Sequence, residues 1–537
     1  MNGSDMKLFC IVLALSVITG CAHTKIEDFS FIDINGSAVL LKEAPSFPPG
    51  KEGRLNLQDD IFTTPRYSIN SPIEKETGNS GLFIKYSGNI SGRILIYYES
   101  GNDEYAIPEG NCGSVEAVFP LRRNEPINGF KIEADGDYED WRIQGTGIRD
   151  YRPAVSFTHD NPVISNGFEL YKSDDRTEIT VLPGLEPEYI YVDYTYDENN
   201  GKPEQKPNIK ITDSHGSTLF IIDPLFGNHE IIIPVFHNDG PVTVMDHGLI
   251  NEVGITENER KYIDLGYLLD PEIEITGSFQ YYRWNDFPNI IIFDTADYAV
   301  QSGLFKRIAF FVEKYGYAGR VLDEDALEGL HGWNAHDYRA EDLAEFFSEA
   351  DRSGIVLNHL EQELRTILMH EGIITSDNSG YIAVTGGIMS VSKESTMYLR
   401  ELFLAHEGYH GIFFSDPEFE KYVLDLYSGL DPGFKDFWKL FLGWKGYDVN
   451  NTYLMANELQ AYFLQQPVQR IDGYFKEYNI PKMLEIFPEH EALLMKLQSE
   501  DNSIFYETAL TLHEFIKNRT GYGSGNLFSL RIPDTEG

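Results

Sequence analysis

The sequence predicts a multidomain protein of mixed class, in which two N-terminal β-sandwich or jelly-roll-like modules precede a mainly α-helical domain. The chain has 537 residues, of which 42% are hydrophobic and 13% aromatic, and this is enough apolar material for several packed cores. Short segments of alternating polarity dominate the first half, and segments with a helical period dominate the rest. The predicted segments are an export signal over 1–21, β modules over 22–150 and 151–285, and the helical domain over 286–537.

The N-terminus has the features of an export signal. Lys7 precedes an apolar run of about a dozen residues, which is too short to span a bilayer. The stretch ITGC, which ends at Cys21, resembles a bacterial lipobox, and the resemblance implies cleavage before Cys21 and attachment of lipid to it. The alternative is an ordinary secretory signal with an incidental cysteine. We therefore expect an exported, membrane-anchored lipoprotein in the periplasm or at the cell surface.

Composition excludes some classes of function. The chain has 43 Lys+Arg against 85 Asp+Glu, a net charge of −42, and such a surface repels phosphate backbones, so we expect no nucleic-acid partner. The cysteines are Cys10, Cys21 and Cys112, and only Cys112 stays free once the signal is removed and Cys21 is acylated. A metal site must therefore use histidine, aspartate or glutamate.

Both β modules consist of short alternating segments separated by turn residues. GLFIKYSG, GRILIYYES and GSVEAVFPL belong to the first, and EYIYVDYTYDENNGKP and NIKITDSHGSTLFIID to the second. Turn signals at intervals of about ten residues are typical of antiparallel sandwiches and jelly rolls. The modules contain no catalytic motif, so we expect them to hold the helical domain away from the membrane or to bind a glycan or protein ligand.

Two stretches of the helical domain predict strands. FPNIIIFDTADYAVQSG, over 287–303, predicts one buried strand that leads into a helix. SGYIAVTGGIMSVSKES, over 379–395, predicts a strand or a hairpin with a glycine turn.

The stretch LFLAHEGYHGIFF, over 402–414, contains the pattern HExxH, formed by His406, Glu407 and His410. On a helix, residues four apart lie on one face, so both imidazoles can reach one ion at about 2 Å. Glu407 is offset by about 100° from His406 and cannot share that ligand position. It can instead accept the proton of a zinc-activated water that attacks a carbonyl, and then deliver it to the leaving amine.

The flanks of this stretch support a helix. Ser395 is the predicted N-cap, and Gly411 with Pro417 is expected to weaken or end the helix. The alternative is a buried helix in which His406 and His410 are ordinary core residues.

A zinc site of this kind needs a third protein ligand. Asn457 and Glu458 lie in LMANELQAYFLQQP, 48 residues after His410. Together with HExxH, this pair resembles the gluzincin metallopeptidases, in which a second helix supplies a glutamate that often follows an asparagine. The resemblance implies a zincin-like domain that hydrolyses peptide or protein substrates, with one zinc ion held by His406, His410 and Glu458, and with Glu407 as general base.

The sequence departs from the gluzincin pattern at Tyr462. Some gluzincins have an aspartate at this place, four residues after the ligand glutamate, where it holds a ligand histidine in its tautomer, so that partner is not identified here. Tyr462 shares a helical face with Glu458 and could donate a hydrogen bond to a developing oxyanion, or it could be a packing residue. Asp416 is a rival third ligand by the metzincin pattern, but Phe413 replaces the glycine which that pattern requires.

The stretch LHGWNAHDY, over 330–338, is a second concentration of polar and aromatic side chains. His331, Trp333, Asn334 and His336 are candidates to line a substrate cleft, and the same stretch could supply the missing partner of a ligand histidine. The alternative is structural, with Asp337 or Asn334 capping the next helix. In zincins an edge strand beside the HExxH helix pairs with extended peptides, and GGIMSVSKES is the candidate here.

These observations predict an extracytoplasmic zinc-dependent metallopeptidase. Two alternatives stay open. One is a non-catalytic surface-binding or adhesion lipoprotein, and the other is a zinc amidase or related hydrolase that acts on cell-wall material.

Overall fold

A computed structural model describes residues between Ser30 and Pro533, with gaps. The gaps are 33–37, 44–60, 64–66, 70–79, 88–90, 109–113, 122–126, 128, 136–141, 159–160, 174–175, 183–187, 198–206, 236–239, 257–260, 272 and 500–502. The predicted signal over 1–21, with the predicted lipidation site Cys21, and also Cys112, lie outside the described residues. None of the helices that are described is long and apolar enough to cross a membrane.

The N-terminal part is rich in strands. These are β1 (Ser30–Ile32), β2 (Ala38–Glu43), β3 (Ile61–Thr63), β4 (Tyr67–Ile69), β5 (Ser80–Ser87), β6 (Ser91–Tyr97), β7 (Asn102–Ala106), β8 (Val115–Pro120), β9 (Gly129–Asp135), β10 (Arg142–Asp150), β11 (Ala154–Thr158), β12 (Asn161–Ser165), β13 (Phe168–Lys172), β14 (Thr177–Val181), β15 (Tyr189–Tyr196), β16 (Ile209–Thr212), β17 (Thr218–Ile222), β18 (Gly227–Pro234), β19 (Val242–Asp246) and β20 (Ile250–Thr256). In β5 the alternate residues Leu82, Ile84 and Tyr86 are buried, which is the period of a strand with one covered face.

The C-terminal part is mainly helical. Its strands are β21 (Tyr262–Ile263), β22 (Phe279–Trp284), β23 (Ile290–Thr295), β24 (His336–Arg339), β25 (Ile374–Asp377), β26 (Gly380–Ala383), β27 (Gly387–Ser392) and β28 (Leu530–Arg531). Its α-helices are α1 (Tyr298–Val312), α2 (Glu324–Leu327), α3 (Ala340–Ser353), α4 (His359–His370), α5 (Met397–Ser415), α6 (Pro417–Gly429), α7 (Pro432–Lys445), α8 (Thr452–Leu464), α9 (Ile480–Ile486), α10 (Glu491–Ser499) and α11 (Ile504–Thr520). A π-helix spans Gly473–Asn479. This distribution confirms the predicted multidomain, mixed class.

The chain forms two compact units. The first consists of Met1–Val192, Ile211–Ser217 and Val235–Thr256, and the second of Asp193–Lys210, Thr218–Pro234 and Glu257–Gly537. In the first unit, strands pair in the order β20-β11-β12-β8-β5-β10-β1-β2-β4-β9-β6-β7, with β3 against β9, and β13, β14 and β19 form a separate ladder. The module boundaries given above from the sequence stay predictions.

The second unit contains a five-stranded sheet in the order β21-β22-β23-β27-β24. The central strands β23 and β27 run parallel, and every residue of both is buried, as is typical of strands covered on both faces. The strand and helix predicted over 287–303 are confirmed as β23 and α1, and the Asp297 side chain caps α1 by accepting from the Val300 amide at 2.8 Å.

The predicted hairpin over 379–395 is wrong in its pairing. Strand β26 pairs with β25 in a separate two-stranded sheet, whereas β27 lies between β23 and β24. The candidate edge strand is therefore wrong as well, because β27 has a neighbour on each side. The edge of the sheet next to β27 is formed by β24, which runs antiparallel to β27 with Asp337 opposite Met389.

Helix α5 lies close to this sheet because two of its residues are glycines. A Cβ atom at Gly408 would lie 2.6 Å from Leu527 Cδ1, and one at Gly411 would lie 3.4 Å from Trp284 and Ile290. Helix α5 also continues through Gly411 without a break, contrary to the expectation that this glycine weakens or ends it. The helix ends at Ser415, before Pro417. Its N-cap is Thr396, and Ser395 is wrong as the predicted N-cap.

Candidate metal centre

Helices α5 and α8 bring two histidines and a glutamate together. His406 Nε2 lies 3.2 Å from His410 Nε2. In the Glu458 carboxylate, Oε2 lies 3.6 Å from His406 Nε2 and Oε1 lies 3.7 Å from His410 Nε2. A tetrahedral ion with ligands at about 2.0–2.1 Å holds its ligand atoms about 3.3 Å apart. The two Nε2 atoms and the two carboxylate oxygens therefore lie at spacings that fit one small metal ion.

The surroundings of Glu458 also suit a cation. Its carboxylate is 2% exposed, and its Oε2 atom has no hydrogen-bond partner among the described residues. Burial is the largest influence on its pKa, which is raised to about 8, while the nearby His410 opposes the shift. A buried carboxylate oxygen without a donor is costly, and a bound cation would offset that cost. The His406, His410 and Glu458 cluster could thus bind a metal ion.

At each histidine, the ring nitrogen that points away from the cluster faces a side-chain oxygen. His406 Nδ1 lies 3.0 Å from Gln465 Oε1, just beyond the end of α8. His410 Nδ1 lies 3.7 Å from Asp337 Oδ2 on β24. Burial lowers the pKa of His406 to about 4, so at neutral pH this ring is uncharged and can offer a lone pair.

Glu407 lies next to the cluster, in a group of buried carboxyls. Its side chain hydrogen-bonds to Asp337, and burial together with the charges of Asp337 and Glu458 raises its pKa well above the usual range. Glu313, at the end of α1, shows the same direction of shift, caused first by burial and then by the charge of Asp337. A site with several unneutralised carboxyls favours either bound protons or a bound cation.

Tyr462 lies where the sequence places it, one turn beyond Glu458. Its ring meets the His406 ring edge-on, with centroids 4.8 Å apart, and packs against Trp438 and Phe441. A second tyrosine that sequence reasoning missed, Tyr447, hydrogen-bonds to both Glu458 and Tyr462. Tyr462 therefore packs in the core and also lies beside the metal-binding cluster.

The stretch over 330–338 divides between surface and interior. His331 and Asn334 are exposed, whereas His336 is buried with its Nδ1 2.8 Å from the Tyr338 hydroxyl. The Trp333 ring stacks on Tyr447 with centroids 4.9 Å apart. Of these candidates, Trp333 approaches the cluster through Tyr447, and His331 and Asn334 have no contact with it among the described interactions.

The expected capping role of this stretch is wrong. The N-cap of α3 is Arg339, whose side chain makes no capping hydrogen bond, so neither Asp337 nor Asn334 caps the helix. Asp337 instead faces His410 and Glu407.

Asp416 is occupied elsewhere. Its carboxylate accepts from the Glu418 and Phe419 amides at 3.0 and 3.2 Å, and so caps α6. It also pairs with Arg519. Asp416 is absent from the groups of side chains that could hold a metal among the described residues. Among the described residues, Glu458 and not Asp416 therefore lies with His406 and His410.

A cavity of about 220 Å³ is lined in part by Glu313, Asp337 and Asn457. A larger cavity, of about 470 Å³, is lined by α1, α2 and α4 and contains none of the predicted site residues. The smaller cavity is not lined by His406, Glu407, His410 or Glu458 either, so neither cavity by itself identifies the site.

Comparison with known proteins adds no relative. The chain matches no protein-family model, and a search of curated proteins returned no match.

Proposed function

We propose that this protein is a zinc-dependent metallopeptidase that acts outside the cytoplasm and is anchored to a membrane through lipid on Cys21. The single observation that carries the proposal is the convergence of His406, His410 and Glu458, with donor atoms 3.2 to 3.7 Å apart. Two imidazoles and one carboxylate form a donor set typical of catalytic zinc.

The residues around the cluster have separate tasks in this proposal. A bound zinc ion supplies a Lewis acid and makes water a stronger nucleophile at neutral pH. Glu407 accepts a proton from the attacking water and passes it to the leaving amine. Tyr462 donates its hydroxyl to the oxygen that gains charge as the peptide carbonyl is attacked.

The surrounding fold supports a peptide as the substrate. Strand β24 pairs with β27 alone among the described strands, so its other edge can pair with an extended chain. Asp337 on β24 places that edge beside Glu407 and His410. We assign the second unit to a zincin-like fold of the gluzincin type. The arrangement of the N-terminal strands as two sandwiches that bind a glycan or protein ligand belongs to the same proposal.

The experiment is a substrate panel for the purified protein. Casein, synthetic peptides and peptidoglycan fragments are incubated with the protein as isolated, with the protein after chelation, and with the chelated protein after zinc is restored. We expect cleavage of casein or peptides that chelation abolishes and zinc restores. Zinc-dependent cleavage of peptidoglycan alone would indicate an amidase. A protein that neither binds zinc nor cleaves any of these would indicate a binding lipoprotein and contradict the proposal.

A further inference from the structure

The proposed ligand histidines can serve together only in one tautomer each. Their Nε2 atoms lie 3.2 Å apart and both face Glu458, so a proton on either Nε2 would block the shared position. Each neutral ring must therefore carry its proton on Nδ1, and an acceptor at Nδ1 selects that tautomer. The sequence offers the stretch over 330–338 as one source of such an acceptor, without naming the residue, and it does not point to Gln465.

Gln465 supplies the acceptor for His406. Its Oε1 atom lies 3.0 Å from His406 Nδ1, and an amide oxygen can only accept, so the proton lies on Nδ1. The Gln465 side chain also hydrogen-bonds to the Tyr474 side chain. Tyr474 lies in the π-helix over Gly473–Asn479, and its carbonyl accepts from the Asn479 side chain at 2.8 Å. The amide therefore has two side-chain partners, His406 and Tyr474.

Asp337 is placed to supply the acceptor for His410. The His410 side chain is 0% exposed, and its Nδ1 has no hydrogen-bond partner within 3.5 Å among the described residues. The Asp337 Oδ2 atom lies 3.7 Å away, just beyond that limit. A buried N–H that faces a carboxylate at this distance closes on it with a small side-chain movement. A carboxylate partner also makes the imidazole a stronger ligand.

We propose that Gln465 and Asp337 are positioning residues, which hold His406 and His410 with their Nε2 lone pairs aimed at one metal ion. This inference rests on the proposed function. The outer partners come from two separate elements, the end of α8 and the edge strand β24. They take the role that an aspartate has in some gluzincins, at the position where this chain has Tyr462.

A different role for Asp337 is distinguishable. Ligand atoms of Asp337, Glu407 and His410 lie within 4.8 Å of one another, so this trio could itself hold a cation. His410 would then bridge two ions, which requires its ring to lose both protons, and a neutral hydrogen-bonded ring is the simpler state. The two arrangements differ in the number of ions bound per chain.

The test measures zinc affinity by competition with a chromogenic chelator, and zinc stoichiometry by elemental analysis, on the purified full-length protein. Gln465→Met and Asp337→Leu remove an acceptor at similar side-chain size, and Gln465→Glu and Asp337→Asn retain one. Gln469→Met and Asp436→Leu, at exposed positions, are matched controls. The absorption spectrum of the cobalt-substituted protein reports ligand geometry independently of activity.

We expect one zinc ion per chain in the wild type. Gln465→Met and Asp337→Leu should each weaken zinc binding about 10- to 100-fold and alter the cobalt spectrum, because outer partners of ligand histidines contribute that much. The acceptor-retaining variants should recover most of the affinity, and the controls should match the wild type.

Three outcomes would overturn the inference. Unchanged affinity in both acceptor-free variants would show that the partners do not position the rings. Two ions in the wild type and one in Asp337→Leu would make Asp337 a ligand. A wild type without zinc would refute the proposed function itself. An acceptor-free variant that fails to fold, as judged by circular dichroism, gives no affinity to compare. In that case a loss of zinc affinity of about 10-fold or more in Gln465→Glu or Asp337→Asn would refute the inference for that residue.

Discussion

The carboxyl of Glu407 on α5 hydrogen-bonds to the carboxyl of Asp337 on β24. Burial, and after it the charge of Asp337, holds the pKa of Glu407 well above its usual range, because two neighbouring carboxyls in a buried site cannot both ionise easily. A buried carboxyl beside a cluster of metal-binding side chains, with a partner that can share its proton, is suited to accept and release protons during a reaction.

Replacing Glu407 with glutamine should remove turnover and leave metal binding in place. The amide has nearly the same shape but cannot accept a proton from water, and loss of a general base costs about 10²- to 10⁴-fold in rate. The measurements are kcat on a peptide substrate and zinc per chain. Glu401→Gln, at an exposed position of the same helix, should behave as the wild type. Hydrolysis that survives in Glu407→Gln would rule out the proposed mechanism.

Replacing Tyr462 with phenylalanine should separate catalysis from packing. The ring contacts with His406, Trp438 and Phe441 remain, and only the hydroxyl is lost. We expect kcat to fall about 10²-fold with KM and zinc content unchanged, because removal of one oxyanion donor has that effect. The control is Tyr478→Phe, at a residue that is 57% exposed. A wild-type kcat in Tyr462→Phe would assign Tyr462 to packing alone.

Replacing Asp416 with alanine should affect stability and not metal content. Asp416 caps α6 and pairs with Arg519, and loss of such a cap costs about 1 kcal/mol. We therefore expect a lower free energy of unfolding, measured with urea, and one zinc ion per chain. Zinc loss from a variant that is still folded would revive Asp416 as the third ligand in place of Glu458.

The local parts of the site could be predicted from the sequence, and the non-local parts could not. His406 and His410 share a helical face by their spacing alone, and Glu458 followed from a resemblance that involves a second helix. Asp337 precedes His410 by 73 residues and reaches it only because β24 pairs with β27. No local pattern specifies that pairing. Gln465 lies two turns beyond Glu458, and helical spacing could have identified it.

The fold shows the same division between local and non-local information. The buried strand and the helix over 287–303 follow from local patterns, and the sequence predicts both correctly, as β23 and α1. The partner of β26 depends on which distant strands compete for β27. Because β23 and β24 occupy both sides of β27, β26 pairs with β25 instead.

We expect the buried His336 side chain to lower the free energy of unfolding at acid pH. Burial, aided by the charge of Lys314, lowers its pKa from 6.5 to about 3. Below pH 6.5 the unfolded chain takes up a proton that the folded chain does not, so the free energy of unfolding falls as pH decreases toward 3. The loss from this residue between pH 7 and pH 5 is about 2 kcal/mol.

Urea denaturation of His336→Gln at these two pH values checks this expectation. The variant should show a smaller loss of stability from pH 7 to pH 5 than the wild type, whatever its stability at pH 7. His331→Gln is the control, because His331 is exposed in the same stretch and should leave the pH dependence unchanged. An identical pH dependence in His336→Gln and the wild type would refute the assignment.

The most direct test of the central claim is a crystal structure of the zinc-loaded protein with anomalous data collected at the zinc edge. We predict one anomalous peak per chain at about 2.0–2.2 Å from His406 Nε2, His410 Nε2 and a Glu458 carboxylate oxygen. A peak coordinated by other side chains, or no peak at this cluster with zinc in excess, would contradict the account.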